Sequence, residues 1–271
     1  MESINAETFL SVFRGIMKYG HESSPRGQRI IEQEDKMFAI DPRFPIMNFE
    51  DRNVNIDYFK REWIWKLSGD RYDDSIAKYA KAWGGLKDVD GGYNSNYGQY
   101  FFGKQNGFDW VVKELIRDKD SRRAIILLLN DEHLRTNNPD HVCTFSVGFR
   151  IRDNHLNMSV NMRSNDFIWG FTNDSFTFCM LYRLVYGYLK HFYPQLKIGL
   201  YTHKADSLHI YERHWDMTNK IISGGVAKYT PLVIPFPASL TEVQYIIATG
   251  CTTTADTIDT AKFDLYNWIK S

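Results

Sequence analysis

The sequence has few cysteines and lacks the glycine-rich motifs that mark the commonest nucleotide-binding and hydrolase sites. Its three cysteines, Cys143, Cys179 and Cys251, are too few and too widely spaced for a disulfide framework or a zinc ribbon. No G-x-G-x-x-G, P-loop or G-x-S-x-G pattern occurs, so dinucleotide-binding, P-loop and α/β-hydrolase sites lose their support. The scattered histidines, including His209 and His214, do not match the spacing of metal ligands, and we predict no metal site.

Net charge and long apolar segments are absent as well. The 33 basic residues balance the 33 acidic ones, so a general affinity for nucleic acid or for an anionic membrane is not expected. An anion site must therefore be a local cluster of arginines. The longest apolar run, residues 124–129, is too short to span a bilayer. Acidic residues stand near the N-terminus where a secretory signal would need an apolar core, and we expect a cytoplasmic protein.

The sequence does contain enough apolar material for one large domain. Hydrophobic residues make up 43% and aromatic residues 15% of the chain, and no low-complexity linker divides it, so residues 1–271 are predicted to form a single domain. Helical spacing of apolar residues predicts helices over 6–18, 56–68, 73–83, 107–118, 175–192 and 240–248, with another beginning within 206–214. Short apolar or alternating runs predict strands over 124–129, 197–202 and 231–236.

A β-hairpin is predicted on either side of Asp153-Asn154. Residues 141–152 alternate between apolar and polar side chains, and residues 156–162 alternate again after the turn. The returning strand brings Arg163 and Ser164 back towards the end that carries Cys143. An arginine beside a thiol can lower its pKa, although the place of Cys143 on the apolar face fits a structural thiol equally well.

Other polar positions are ambiguous when each is taken alone. Arg26 lies in a loop with proline and glycine that could wrap a phosphate or form a solvated turn. Glu62 stands beside tryptophans, where a carboxylate is costly to bury without a partner or a task, but a partly exposed surface glutamate fits as well. Arg122 and Arg123 could bind a phosphate or pair with surface carboxylates, and the pattern alone favours surface pairing.

Taken together and in order, these positions resemble the thymidylate synthase family, and most of all its phage relatives, the deoxycytidylate hydroxymethylases. The resemblance covers residue 8 to about residue 215, and the ordered set of motifs is specific although each motif alone is weak. The matching positions are Arg26, Glu62 with Gly69-Asp70, Trp83 with Tyr97-Gly98, Ser121-Arg122-Arg123, Cys143, Arg163-Ser164-x-Asp166, Gly170 to Asp174, and His209-Ile210-Tyr211.

The resemblance implies an α/β (α+β) fold of the thymidylate synthase type, in which a large twisted mixed sheet packs against helices and two sheets meet in a homodimer. It also implies covalent catalysis: the thiolate of Cys143 adds to carbon 6 of a pyrimidine nucleotide, and carbon 5 then attacks the methylene of 5,10-methylenetetrahydrofolate. The phosphate would be held by Arg26 and Arg163, together with Arg122 of the partner subunit and Arg123 of the partner subunit.

The same resemblance implies roles at the base and the folate. Glu62 would manage proton transfers around the ring, a task suited to a desolvated carboxyl group. Asp166 would receive the pterin of the folate. Trp83 and Tyr97 would line the pocket shared by the ring and the folate.

The remaining implied contacts are to the nucleotide. Ser164 would bind the substrate together with the neighbouring arginine. His209 and Tyr211 would contact hydroxyl groups of the sugar, and they leave ribose and deoxyribose equally possible.

Asp174 differs from the residue that the uracil-methylating members of the family carry at this position, and the difference indicates which base this protein binds. Family members that methylate uracil carry asparagine at this position, and an amide can satisfy the N–H and carbonyl of uracil. Cytosine instead offers an amino donor and a ring-nitrogen acceptor. A carboxylate favours the amino group and accepts two hydrogen bonds from the base if ring nitrogen 3 is protonated, whereas a buried carboxylate is repelled by the carbonyl of uracil. The alternative is that Asp174 caps the helix predicted to follow it. We predict cytosine selection, with Asp174 acting in both binding and catalysis.

Two further departures agree with a hydroxymethylase. Thr144 follows the cysteine where uracil methylators have histidine, and residues 263–271 do not match the apolar tail that keeps water from the reacting methylene. We therefore expect water to capture that group, giving a 5-hydroxymethyl cytidylate and tetrahydrofolate. The alternatives are a methyltransferase acting on a uridylate and a catalytically silent dimer that binds nucleotide or RNA.

Overall fold

A six-stranded mixed sheet is the centre of the fold in the computed structural model, which describes residues 2–134, 139–252 and 258–271. The order of the strands across the sheet is β1-β2-β6-β5-β4-β3. Strands β5 and β6 pair in parallel, and the other neighbours are antiparallel. The strands are β1 (His21–Ser23), β2 (Ile30–Ile40), β3 (Ile125–Leu127), β4 (Thr144–Arg152), β5 (His155–Asp166) and β6 (Lys197–Tyr211).

The helices cover one face of the sheet. They are α1 (Glu2–Tyr19), α2 (Ile56–Leu67), α3 (Gly98–Phe101), α4 (Gly107–Arg117), α5 (Asp131–Leu134), α6 (Gly170–Phe192), α7 (Trp215–Gly224), α8 (Leu240–Thr249) and α9 (Asp264–Lys270). This arrangement confirms the predicted α+β class. In the described part of the chain no helix is long and apolar enough to cross a membrane.

The register of the sheet separates a buried face from an open one. Val147, Val160, His203 and Phe38 are paired across four neighbouring strands and therefore lie on one face. This row faces the helices: the ring of Phe38 lies 5.2 Å from that of Phe171 in α6. Apolar burial on this face forms the main core.

The predicted hairpin is confirmed. Asp153 and Asn154 both have positive φ, 49° and 59°, as a two-residue turn between twisted strands requires. The strands on either side, β4 and β5, pair from Arg152 and His155 back to Thr144 and Met162. The turn thereby places Arg163 beside the residue that precedes β4.

The predicted start of α6 is wrong by five residues. The helix begins at Gly170, so Asp174 lies inside it and does not cap it. Asp166 explains the early start, because its carboxylate accepts hydrogen bonds from the backbone N–H groups of Ile168 (3.1 Å) and Trp169 (3.3 Å). These two hydrogen bonds fix the turn that leads into the helix, so the helix can begin at Gly170.

The helix predicted to begin within 206–214 is also wrong. Strand β6 continues to Tyr211, and α7 begins only at Trp215. The extra strand residues are paired on both sides, since His209 lies opposite Asp166 of β5 and Glu32 of β2. Pairing with two neighbours outweighs the local helical pattern.

Two smaller predictions are corrected. Residues 73–83 form two short 3-10 turns, Ser75–Lys78 and Lys81–Gly85, in place of one helix. Residues 231–236 form no strand, since prolines here cannot donate to a sheet. The buried guanidinium of Arg183 instead binds the carbonyls of Ile234 and Pro235, each at 3.2 Å.

Candidate active site

A cavity of about 290 Å³ opens where the parallel strands β5 and β6 end. Every residue predicted for the site lines it except Arg122 and Arg123. Its lining is Arg26, Glu62, Lys66, Trp83, Ser95, Tyr97, Cys143, Arg163, Ser164, Asn165, Asp166, Gly170, Asn173, Asp174, His209 and Tyr211. The sequence positions that resemble one family therefore converge in space, although they span residues 26–211.

Cys143 stands just before β4, with its thiol against an arginine. Arg163 Nη2 lies 3.4 Å from Cys143 Sγ. The same guanidinium donates to the carbonyls of His141 (2.8 Å) and Val142 (3.0 Å), so it is tied to the segment that carries the thiol. This geometry positions a cation beside the sulfur of Cys143.

Arg163 lowers the pKa of the Cys143 thiol, as its position in the sequence suggests, but burial has the larger effect and raises the pKa above its ordinary value. Arg163 and Arg26 offset only part of the effect of burial. Desolvation penalises the thiolate more than the arginines stabilise it. Formation of a thiolate at this position therefore requires a group that accepts the proton.

Glu62 is buried, which rules out the reading of a surface glutamate. Its side chain in α2 is 5% exposed and pairs with the ammonium of Lys66 one turn later. Lys66 also donates to Thr177 Oγ1 at 3.1 Å, and Asn173 Nδ2 lies 3.5 Å from Glu62 Oε2. The carboxylate is thus held between α2 and α6, at the wall of the cavity.

Asp174 is held by an amide from β5. Asn165 Nδ2 donates to Asp174 Oδ2 at 2.7 Å. Burial raises the pKa of the Asp174 carboxyl to about 7, although Lys66 opposes this shift. A carboxyl group with this pKa exchanges a proton near neutral pH and can act as hydrogen-bond donor or acceptor.

Thr144 contacts an aromatic residue of the cavity. Its hydroxyl, which is fully buried, donates to Tyr97 Oη at 3.1 Å. Burial also raises the pKa of Tyr97 well above its ordinary value, so this phenol stays protonated. On the other wall, Trp83 Nε1 donates to Tyr58 Oη at 2.9 Å, which fixes the indole.

The groups predicted to hold phosphate and sugar line the same cavity. Arg26 is exposed and has a left-handed φ of 53° within the turn Pro25–Gly27. The rings of His209 and Tyr211 lie 5.1 Å apart, and burial lowers the pKa of His209. Ser164 pairs with Ser207 of β6 in the sheet. An anionic group in this cavity can therefore meet Arg26 and Arg163.

Arg122 and Arg123 do not join these residues within one chain. Both are exposed and precede the edge strand β3. Trp110 Nε1 donates to the carbonyl of Arg123 at 3.3 Å, which holds the backbone there. Their side chains are available to another molecule.

Sequence reasoning missed Lys66, Asn165 and Ser95. A lysine in the last turn of a helix normally points to solvent, and an asparagine inside a motif gives no signal of its own. The one available clue was the spacing of Glu62 and Lys66, four residues apart on a predicted helix, which favours an ion pair. In the described part of the chain no group of histidine, cysteine, aspartate and glutamate is placed to hold a metal ion.

Comparison with known proteins adds independent information. The family model described as thymidylate synthase matches residues 7–248. The deoxycytidylate 5-hydroxymethyltransferase of Enterobacteria phage T6 is 33% identical over 172 residues, which cover 60% of this chain and 70% of the phage protein. The deoxyuridylate hydroxymethyltransferase of Bacillus phage SP01 is 26% identical over 76% of this chain and 56% of its own length. The thymidylate synthase of Clostridium beijerinckii is 23% identical, covering 79% and 80%.

Proposed function

Because the chain belongs to the thymidylate synthase family, whose members are one-carbon transferases with 5,10-methylenetetrahydrofolate as co-substrate, we propose that it transfers a hydroxymethyl group to carbon 5 of a cytosine nucleoside monophosphate. The observation that carries this proposal is the carboxyl group of Asp174, held in the cavity by Asn165. The similarity to the phage T6 deoxycytidylate enzyme supports it.

Asp174 provides the selection of the base. A carboxylate accepts a hydrogen bond from the amino group of cytosine, and a proton shared between Asp174 and ring nitrogen 3 adds a second bond. The ionised carboxylate would face the carbonyl of uracil with no hydrogen to share, and this contact is repulsive. The amide of Asn165 leaves the other Asp174 oxygen open to such a base.

Cys143 provides the nucleophile. Its sulfur forms a bond to carbon 6 of the ring while the thiol proton passes to a base, and the electron pair released at carbon 5 forms the new carbon–carbon bond. Loss of the carbon 5 proton would then break the bond between the methylene and the folate nitrogen and release tetrahydrofolate. Water would add to the exocyclic methylene left on the ring, and expulsion of the sulfur would restore the carbon 5–carbon 6 double bond. Glu62 is the buried carboxylate at this wall and is proposed to accept and return these protons.

The cavity also has groups that fit a folate. Asp166 and the indole of Trp83 line it. When bound, the folate supplies the methylene unit. Asp166 and Trp83 would orient it.

The position of the last described residues supports capture of the methylene by water. Residues 258–271 contribute nothing to the cavity lining. Helix α9 packs outside it, where Trp268 lies 6.2 Å from Phe176 and Lys60 donates to Ser271 Oγ at 2.9 Å. In this arrangement the segment leaves the cavity open to water, which supports the proposed capture of the methylene.

A homodimer through the open face of the sheet is also proposed. Leu127, Ser146, Asn161, Lys204 and Met37 are paired across five strands and share this face. Leu127 and Met37 are each 65% exposed, which is a large exposure for apolar side chains on the face of a sheet. A second copy would cover them.

Mixed dimers test the proposed exchange of arginines. The Cys143→Ser variant and the double variant Arg122→Ala, Arg123→Ala are expected to be nearly inactive alone. After mixing and exchange of subunits, half of the dimers combine both variants, and one of their two sites is intact. Activity should therefore recover to about a quarter of the wild-type value.

The control is a mixture in which both variants carry Cys143→Ser, which should stay inactive. Sedimentation must show dimers throughout. If mixing restores no activity although mixed dimers form, the arginines do not act across the interface.

The function itself is tested by product analysis. The protein is incubated with methylenetetrahydrofolate and, separately, with dCMP, CMP and dUMP, and the products are weighed by mass spectrometry. A cytidylate that gains a hydroxymethyl group is the expected result, and a methylated uridylate would establish the alternative. The ratio of turnover on dCMP and CMP also decides which sugar is preferred.

A further inference from the structure

We propose that Lys66 determines how strictly this pocket rejects uracil, because its ammonium is held by Glu62 and Thr177 in the cavity that Asp174 also lines. The inference rests on the proposed function and concerns a residue to which the family resemblance assigns no role. Lys66 is a positioning residue in this account, since it acts on the base through Asp174.

The first observation is the burial of the ammonium at the base end of the cavity. Lys66 is 3% exposed yet lines the cavity together with Asp174. Its ammonium donates to Glu62 on its own helix and to Thr177 Oγ1 at 3.1 Å on α6. Thr177 lies three residues after Asp174, on the same face of α6, so the cation is anchored beside the carboxyl group that selects the base.

The second observation is the balance of charges around Asp174. Burial has the largest effect on its pKa and raises it to about 7. Lys66 lowers this pKa and has the next largest effect, whereas Glu62 and Asp166 raise it. The ionisable and hydrogen-bonding groups that act on Asp174 come from α2, α3, β4, β5 and β6 and their flanking residues: Glu62, Lys66, Tyr97, Cys143, Asn165, Asp166 and Tyr201.

The ionisation of Asp174 decides which base is tolerated. A neutral carboxyl group can donate its O–H to the uracil carbonyl and accept the ring N–H, so it binds uracil well. The ionised group has no hydrogen for that carbonyl and repels it. Ring nitrogen 3 of cytosine is much more basic than the uracil carbonyl, so the cytosine complex keeps the shared proton to higher pH and retains both hydrogen bonds. Discrimination against uracil therefore increases as pH rises through the pKa of Asp174.

The sign of the Lys66 effect follows from this. Without the ammonium the ionised form of Asp174 loses its stabilising partner, and its pKa rises further above the ordinary value. Asp174 then remains neutral at a pH where the unsubstituted site is ionised. Uracil rejection should be lost at neutral pH and should return only at higher pH.

The experiment measures Kd for dUMP and dCMP by calorimetry between about pH 6 and 8.5. All variants carry Cys143→Ser, so that no chemistry occurs. The quantity compared is the Kd for dUMP divided by the Kd for dCMP, because protonation of the phosphate affects both nucleotides alike. A larger ratio means stronger rejection of uracil. In the parent the ratio should rise near pH 7. In Lys66→Gln, which keeps a donor for Glu62, the rise should move up by about one pH unit, and the ratio at neutral pH should fall about tenfold.

Two controls separate this role from a structural one. Lys66→Arg keeps the charge and should retain the parent profile. In an Asp174→Asn background, Lys66→Gln should leave the ratio unchanged. If the Gln variant does not fold, as judged by circular dichroism, Lys66→Met is measured in the same way.

A profile in Lys66→Gln that coincides with the parent, even if both nucleotides bind more weakly, would overturn the role of Lys66. A preference of the unsubstituted protein for dUMP at every pH would contradict the proposed function instead. The difference in pH profile between Lys66→Gln and the parent can still be measured in that case. A failure of the proposed role of Lys66 is therefore distinguishable from a failure of the proposed function.

Discussion

Replacement of Cys143 by serine is expected to abolish turnover, with a loss of about a thousandfold or more. A hydroxyl group is a far weaker nucleophile than a thiolate, and Arg163 cannot compensate because it stabilises an anion that serine does not form at neutral pH. Turnover is measured by the appearance of modified nucleotide. Binding of dCMP, measured separately, should persist because the phosphate and base contacts remain.

The matched control is Cys251→Ala, since Cys251 is also buried but lies after α8, outside the cavity lining. It should retain most of the activity if it folds. Substantial turnover in Cys143→Ser would contradict covalent catalysis by this residue. A wild-type protein that binds nucleotide without turning it over would support the silent dimer.

The substitution Asp174→Asn is expected to shift preference from cytosine to uracil nucleotides. The amide offers both a donor and an acceptor, which match the carbonyl and ring N–H of uracil. A site that hydrogen-bonds one base and leaves polar groups unpaired with the other discriminates strongly, and the ratio of kcat/KM values for dCMP and dUMP should change by about a thousandfold.

Trp83→Phe provides the comparison, because Trp83 also lines the cavity but carries no charge that acts on Asp174. Trp83 is assigned to the folate, so this substitution should lower kcat/KM for both nucleotides by a similar factor. If Asp174→Asn keeps the cytosine preference, the carboxyl group does not select the base.

The relative placement of residues that lie close together in the sequence was predictable. Cys143, Arg163 and Asp174 follow one another through a hairpin and a helix start, and the register of β4 and β5 brings the first two together. The element boundaries were less predictable. The helix expected near His209 is a strand because β2 and β5 pair with it on both sides, and such long-range pairing leaves no local trace.

The pKa values of the site residues were not predictable from the sequence, because they depend on how deeply each side chain is buried. The thiol of Cys143 has an arginine beside it, as expected, but burial has the larger effect and raises the pKa of the thiol. Lys66 is an ordinary helix residue in the sequence, and its burial beside Glu62 follows only from the packing of α6 against α2. Arg122 and Arg123 lie outside the cavity of one chain, so a role at the site would require the proposed dimer.

The most direct test of the account is the source of oxygen in the product. The reaction with dCMP and methylenetetrahydrofolate is run in water enriched in oxygen-18, and the nucleotide is analysed by mass spectrometry. The account predicts a 5-hydroxymethyl cytidylate whose new hydroxyl carries the label, formed by the wild-type protein and not by Cys143→Ser. An unlabelled 5-methyl product, or a product formed from dUMP in preference to dCMP, would contradict it.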